Sequence, residues 1–180
     1  MKLKKCFLKI CFTFICFFIF VVSSLYFLGV RFNHSSSYPL GIYLIKDGSD
    51  YELGDLVLFC PPKSRTIGEA VKRGYMMAGY CQSGSEPVIK KIFGSSGDII
   101  ELRNGVVFRN SEPTNFPVLS FDRAGRNLSF YGGGEISEKM FFMVSDYQPY
   151  WSFDSRYFGP IPSINIIGKI EPLIIFEFGG

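Results

Sequence analysis

The stretch Asn33-His34-Ser35-Ser36-Ser37-Tyr38-Pro39-Leu40-Gly41-Ile42-Tyr43 follows directly on a membrane-length apolar run. Ser37 in it is a candidate nucleophile held close to a bilayer surface. A serine hydroxyl needs a base to become an attacking alkoxide. The chain has one histidine, His34, and it stands three residues before Ser37, too near in sequence for the usual long-range base. Further along, Lys90 and Lys91 lie in the apolar segment Pro87-Val88-Ile89-Lys90-Lys91-Ile92-Phe93. A lysine desolvated in such a setting loses its proton more easily. The chemistry these residues offer is acyl transfer by a Ser-Lys dyad. Adjacent residues on a strand point to opposite faces, so only one of the two lysines can face Ser37, and periodicity does not choose between them.

The elements that must position this pair begin with an anchor. From Ile10 to Val30 the chain carries no charge; at about 1.5 Å per residue a helix of that length covers the roughly 30 Å of a bilayer's hydrocarbon core. Lys2, Lys4, Lys5 and Lys9 precede it, which places the N-terminus in the cytoplasm and the body outside. A cleaved signal peptide is the rival reading, with Ser23-Ser24 as its site, but Leu25-Tyr26-Phe27-Leu28 continues the apolar run past it. The division expected is residues 1–31 as cytoplasmic tip and transmembrane anchor and 32–180 as one extracytoplasmic β-rich domain. The formal net charge is +3, from 19 basic and 16 acidic residues. With the four N-terminal lysines set aside the body is slightly acidic, so the asymmetry signals topology and excludes a nucleic-acid partner.

Of the five cysteines, Cys6, Cys11 and Cys16 fall in the anchor, as small apolar side chains, with S-acylation a candidate at Cys6. Cys60 and Cys81 fall in the body, where an oxidising compartment suits a disulfide between them. Two cysteines and one distant histidine do not make a zinc site; no metal and no cofactor is expected.

The body reads as strands over 41–45, 54–59, 88–93, 140–144 and within 168–178. Ile99–Leu102 and Val106–Arg109 around Asn104-Gly105 read as a hairpin. Ile67–Arg73 reads as a short helix ended by Gly74, inside a flap-like excursion over 63–86 that contacts the membrane or a substrate, or packs on the sheet. Residues 110–137, rich in Asn, Pro, Ser and Gly, read as a loop-rich insertion. Asp55 and Asp98 read as turn-closing residues. Tyr147, Tyr150 and Trp151 suit either the membrane interface or the core. The fold class expected is mainly β.

Ser37-Tyr38-Pro39-Leu40-Gly41-Ile42-Tyr43 resembles the nucleophile box of the type I signal peptidase superfamily, and most closely the Ser-x-Pro-x-Gly-x-Tyr form of the TraF-type conjugative-transfer peptidases. Gly54–Phe59 resembles the second box. Cys60-Pro61-Pro62, Arg73-Gly74-Tyr75 and Gly79-x-Cys81 resemble the middle of the TraF-type subgroup. Ile89–Asp98 resembles the lysine box, and Ser152–Pro160 the last box. The matches fall in family order across residues 33–160. The resemblance implies a signal-peptidase-like β domain on an N-terminal transmembrane helix, with Ser37 as nucleophile and Lys90, the first of the pair, as base. It implies Ser35 as an oxyanion-holding hydroxyl, Ser152 as a hydrogen-bond partner of the lysine amine, and Asp154 with Arg156 as a pair that shapes the site. Two departures stand out: Lys91 replaces the usual arginine, and Ser96 the usual proline.

Implied partners are the lipid bilayer and signal-bearing precursors or a pilin precursor; the implied location is the bacterial inner membrane, single-pass, with the catalytic domain periplasmic. Alone, each residue has a plainer reading: Ser37 a turn serine, Lys90 a surface strand lysine, Asp154-Ser155-Arg156 an ion-pair turn, His34 a polar juxtamembrane residue. The alternative to an enzyme is a catalytically inactive, membrane-anchored component of a secretion or pilus assembly. Whether water or an amine takes the acyl group is not decided by the sequence.

Overall fold

The computed structural model describes residues 2–46 and 48–176, with side chains from residue 7 onward. The side chains of Lys2, Lys4, Lys5 and Cys6, on which the topology and acylation readings rest, lie outside the described residues, as does Phe178. Helix α1 spans Lys2–Phe27. Its stretch Phe7–Phe27 has a mean hydropathy of 2.4 and none of it is buried in the protein, so by length and composition it is able to cross a membrane. The helix ends earlier than the apolar run. Gly29 adopts φ +86°, a left-handed conformation that closes the last turn, and Arg31 Nη1 donates to the Tyr26 and Val30 carbonyls at 2.7 and 2.9 Å. Strand β1 (Val30–Asn33) follows at once. Val30 and Arg31 in it pair with Leu44 and Tyr43.

The described body is two antiparallel sheets. The larger contains β1, β2 (Gly41–Lys46), β3 (Leu56–Phe59), β4 (Val88–Gly94), β9 (Met140–Val144), β10 (Ile161–Pro162) and β11 (Ile166–Ile175), in the spatial order β1-β2-β11-β3-β4-β9-β10. The smaller has the order β7-β6-β5-β8, from β5 (Ile99–Arg103), β6 (Val106–Arg109), β7 (Glu112–Pro117) and β8 (Gly134–Glu135). Strand β3 lies between β11 and β4, with Val57, Leu58 and Phe59 all buried, as a short unbroken apolar run requires. The β5–β6 turn is the expected one, with Asn104 and Gly105 at φ 53° and 74°.

Helix α2 spans Arg65–Lys72, capped by Ser64 Oγ accepting from Ile67 N at 3.2 Å, and buries Ile67 and Ala70 against Met76. Residues 110–137 are more ordered than their composition suggests. Strands β7 and β8 both lie within them, and β7 carries Pro113 and Pro117, which an edge strand tolerates because one side needs no ladder donor. The short helix α3 (Ser155–Phe158) follows β9 after an intervening loop, with Asp154 as its N-cap. Cys60 and Cys81 form a disulfide, Cα–Cα 5.5 Å, which ties the end of β3 to the excursion carrying α2.

Candidate active site

Ser37 lies in the turn between β1 and β2, and one buried side chain shapes that turn. Asn33 Nδ2 donates to the carbonyls of Ser35, Tyr38 and Pro39 at 3.1, 3.1 and 2.9 Å. Its Oδ1 accepts from Ser35 N at 3.1 Å. Tyr43, buried, donates its hydroxyl to Pro39 O at 2.7 Å. Gly41 passes so close to β11 that a side-chain Cβ there would lie 2.2 Å from Ile174 O. The pattern Ser37-x-Pro39-x-Gly41-x-Tyr43 thus has local physical causes at its glycine and tyrosine.

Within the turn, Ser35 Oγ donates to Ser37 Oγ at 3.3 Å and accepts from Ser37 N at 3.4 Å. The Ser35 hydroxyl is therefore within reach of both the Ser37 hydroxyl and its N–H. Ser145, at the end of β9, donates its hydroxyl to Ser37 O at 2.6 Å, while its own N donates to Asp154 Oδ2 at 3.2 Å.

Lys90 extends from β4 into the same cavity, of about 630 Å³, that Ser37 and Ser35 line. Only 2% of Lys90 is exposed. Burial pushes its amine down from 10.5 to about 8; the nearby Asp154 carboxylate opposes that and Arg156 adds to it. No hydrogen bond joins Lys90 to Ser37 among the described residues. Lys91 points to the other face, as pleating demands. It is half-buried and ion-paired with Asp146, where free solvation was the simpler expectation. Asp146 also accepts from Tyr38 OH at 2.6 Å. Burial pushes the Asp146 carboxyl up, but hydrogen bonds from Lys91 and Tyr38 hold it below the usual carboxylate range.

Asp154 and Arg156 are completely buried. Arg156 grips the carboxylate through both oxygens, Nε to Oδ1 at 2.7 Å and Nη2 to Oδ2 at 2.8 Å. The remaining guanidinium donors reach the carbonyls of Pro117, Pro149 and Ser152. This pair fastens β7's end, the 145–152 loop and α3 behind Lys90. Ser152 does not make the expected bond to the lysine amine: its Oγ is buried with no hydrogen-bond partner among the described residues. Its main chain is held on both sides, Ser152 N donating to Gln148 O at 3.1 Å and Ser152 O accepting from Arg156 Nη2 at 3.0 Å.

His34, half-exposed, pairs with Glu86 at 3.0 Å across the mouth of the cavity. Asp55 and Asp98 close turns, accepting from Glu52 N at 2.8 Å and Ser95 N at 2.9 Å. Tyr147, Tyr150 and Trp151 are exposed rather than in the core. Two contributors escaped the sequence reading. Asn33 carries a signal, since Asn side chains favour hydrogen bonds to nearby backbone; Ser145 carries none, because its partner is remote in sequence.

A buried, low-pKa lysine and a serine lining one cleft on a β domain behind an apolar helix define a candidate Ser-Lys hydrolase site. Comparison with known sequences places the chain among signal-peptidase-like proteins. The chain belongs to the family described as "Signal peptidase, peptidase S26", whose profile matches residues 4–175. It is 33% identical over 156 residues to a "Probable conjugal transfer protein TraF" of Sinorhizobium fredii, covering 86% of this chain and 82% of that one. It is 35% identical over 150 residues to a "Plasmid transfer protein TraF" of Escherichia coli, covering 81% and 83%. Among solved structures, a signal peptidase I from Enterococcus faecalis aligns at TM-score 0.39 and 19% identity, over 69% of this chain and 97% of that one. The family profile and the TraF relatives place this chain in the TraF type of the superfamily.

Proposed function

We propose that this chain is a membrane-anchored serine endopeptidase that removes leader peptides from exported precursors, a conjugative pilin precursor among them. The observation that carries the reading is the shared cavity, with Ser37 at its wall and the buried, easily deprotonated Lys90 inside it. The apolar helix α1 holds the body at the bilayer, in the orientation with the N-terminus cytoplasmic and the body periplasmic. Signal-bearing precursors reach the site in the same membrane.

The steps follow from the groups present. Neutral Lys90 Nζ takes the Ser37 Oγ proton as Oγ attacks the scissile carbonyl carbon. With substrate in place, Ser37 N–H and the Ser35 hydroxyl turn from each other to the new oxyanion, a contribution of about 3 kcal/mol. The C–N bond breaks, the protonated Lys90 gives its proton to the departing amine, and the leader remains as an ester on Ser37. Water then attacks the ester, loses a proton to Lys90, and Ser37 recovers its own proton. Asn33, Ser145 and the Asp154–Arg156 pair hold the two reacting groups in register.

The test is cleavage in membranes of a panel of signal-bearing precursors that includes a pilin precursor, by wild type, Ser37→Ala and Lys90→Ala. The reading expects wild type to cut and both folded variants to be inert. Equal cutting by the variants, or no cutting of any precursor by wild type, would favour the inactive assembly component instead.

A further inference from the structure

A second cavity of about 330 Å³ adjoins the one that holds Ser37 and Lys90. The two share Ser36, Gly74, Tyr75 and Phe153 as wall. Ser36 is the residue next to Ser37, so a chain crossing the nucleophile runs from one cavity into the other. The first cavity is bordered by Val22, Leu25 and Tyr26 of α1; a leader whose own apolar segment lies in the bilayer comes from that side. The second cavity touches no residue of α1, and is left for the chain on the far side of the cut.

Its walls carry a definite chemistry. Trp151 and Tyr150, both exposed, present aromatic faces. The loop between Phe121 and Asn127 is pinned into a turn by Asp122, whose carboxylate accepts from Ala124 N and Arg126 N at 2.9 and 2.8 Å. The same carboxylate takes the Arg126 guanidinium at 2.6 Å and the Tyr75 hydroxyl, so Asp122 and Arg126 neutralise each other. Arg123 does not share in this. It lies over the Trp151 ring, 4.0 Å from its centroid, with no carboxylate partner among the described residues. A guanidinium placed over an indole still has N–H donors to offer a carboxylate.

We infer that the second cavity binds the first residues of the substrate after the cut, and that Arg123 on Trp151 selects an acidic side chain there. This rests on the peptidase reading of Ser37 and Lys90. It adds a specificity-determining residue on the departing side of the bond, remote from the dyad.

The experiment uses the full chain in detergent and precursors that differ only in one residue, Asp, Asn or Lys, at each of the first few positions after the cut. At one of those positions wild type is expected to process Asp faster than Lys by about fivefold in kcat/KM, the size of a half-exposed ion pair. Arg123→Glu is expected to reverse that order, and Arg123→Ala to abolish it. Cleavage with the same rate for Asp, Asn and Lys overturns the inference and leaves the peptidase reading standing, as does a charge preference that survives in Arg123→Glu. If no precursor is cut and wild type behaves as Ser37→Ala, the peptidase reading itself fails and takes the inference with it.

Discussion

Replacing Lys90 by methionine separates what the buried amine does for chemistry from what it does to the fold. Lys90 titrates near 8 in the folded protein and near the ordinary 10.5 when unfolded. The folded state therefore binds fewer protons between those values, and stability rises with pH across that window. Below pH 8 both states carry the charge and the full penalty applies, about 3 kcal/mol at 1.36 kcal/mol per pH step. Methionine keeps the length and apolar volume of the lysine stem without the charge. Lys90→Met is thus expected to be inactive and yet more stable than wild type at pH 7 by about 3 kcal/mol, a rise in Tm of roughly 10 °C for a chain of this size. The gain should shrink towards zero as pH approaches 10.5. Thermal unfolding of the full chain in detergent, followed by loss of β-sheet circular dichroism at neutral and alkaline pH, reads both. A variant less stable than wild type at pH 7, or one whose gain does not change with pH, would refute the reasoning that a desolvated ammonium occupies this site.

The same titration sets the activity profile: kcat/KM should climb about tenfold from pH 7 to pH 9 as Lys90 becomes neutral, and a flat profile over that range would count against it as the base. Asn33→Ala strips the Ser37 turn of four hydrogen bonds; we expect a loss of about 2 kcal/mol in denaturant unfolding, with kcat falling at least as far as KM changes. Replacing Cys60 and Cys81 together by serine opens a loop with a sequence separation of 21; calorimetry should show about 3 kcal/mol of lost stability on the chain-entropy estimate.

Much of this molecule was legible in its residues because the signals are local. The apolar run from Ile10, the Asn104-Gly105 turn, the short helix ended by Gly74 and the short apolar strands at Leu56–Phe59 and Met140–Val144 each declare themselves within a few positions. That Ser37 and Lys90 line one cavity is non-local, and only the order of four boxes pointed to it. What escaped did so for physical reasons. Gly29 ends α1 within an uninterrupted apolar run, so hydropathy overshot into β1. Strand β7 reads Glu-Pro-Thr-Asn-Phe-Pro, a polar and proline-bearing segment that only an edge position permits. Ser145 touches Ser37 across 108 positions, and the Ser152 carbonyl is held by the Arg156 guanidinium, a bond that no spacing rule anticipates.

In the proposed mechanism Ser37 becomes acylated with the help of Lys90. Full-length wild type, Ser37→Ala and Lys90→Met are each mixed with a cleaved precursor, quenched in acid during turnover, digested and weighed by mass spectrometry. The account predicts an ester-linked leader fragment on the peptide containing Ser37 in wild type, and none in either variant. Processing by Ser37→Ala at the wild-type rate, or an adduct on any other residue, would contradict it.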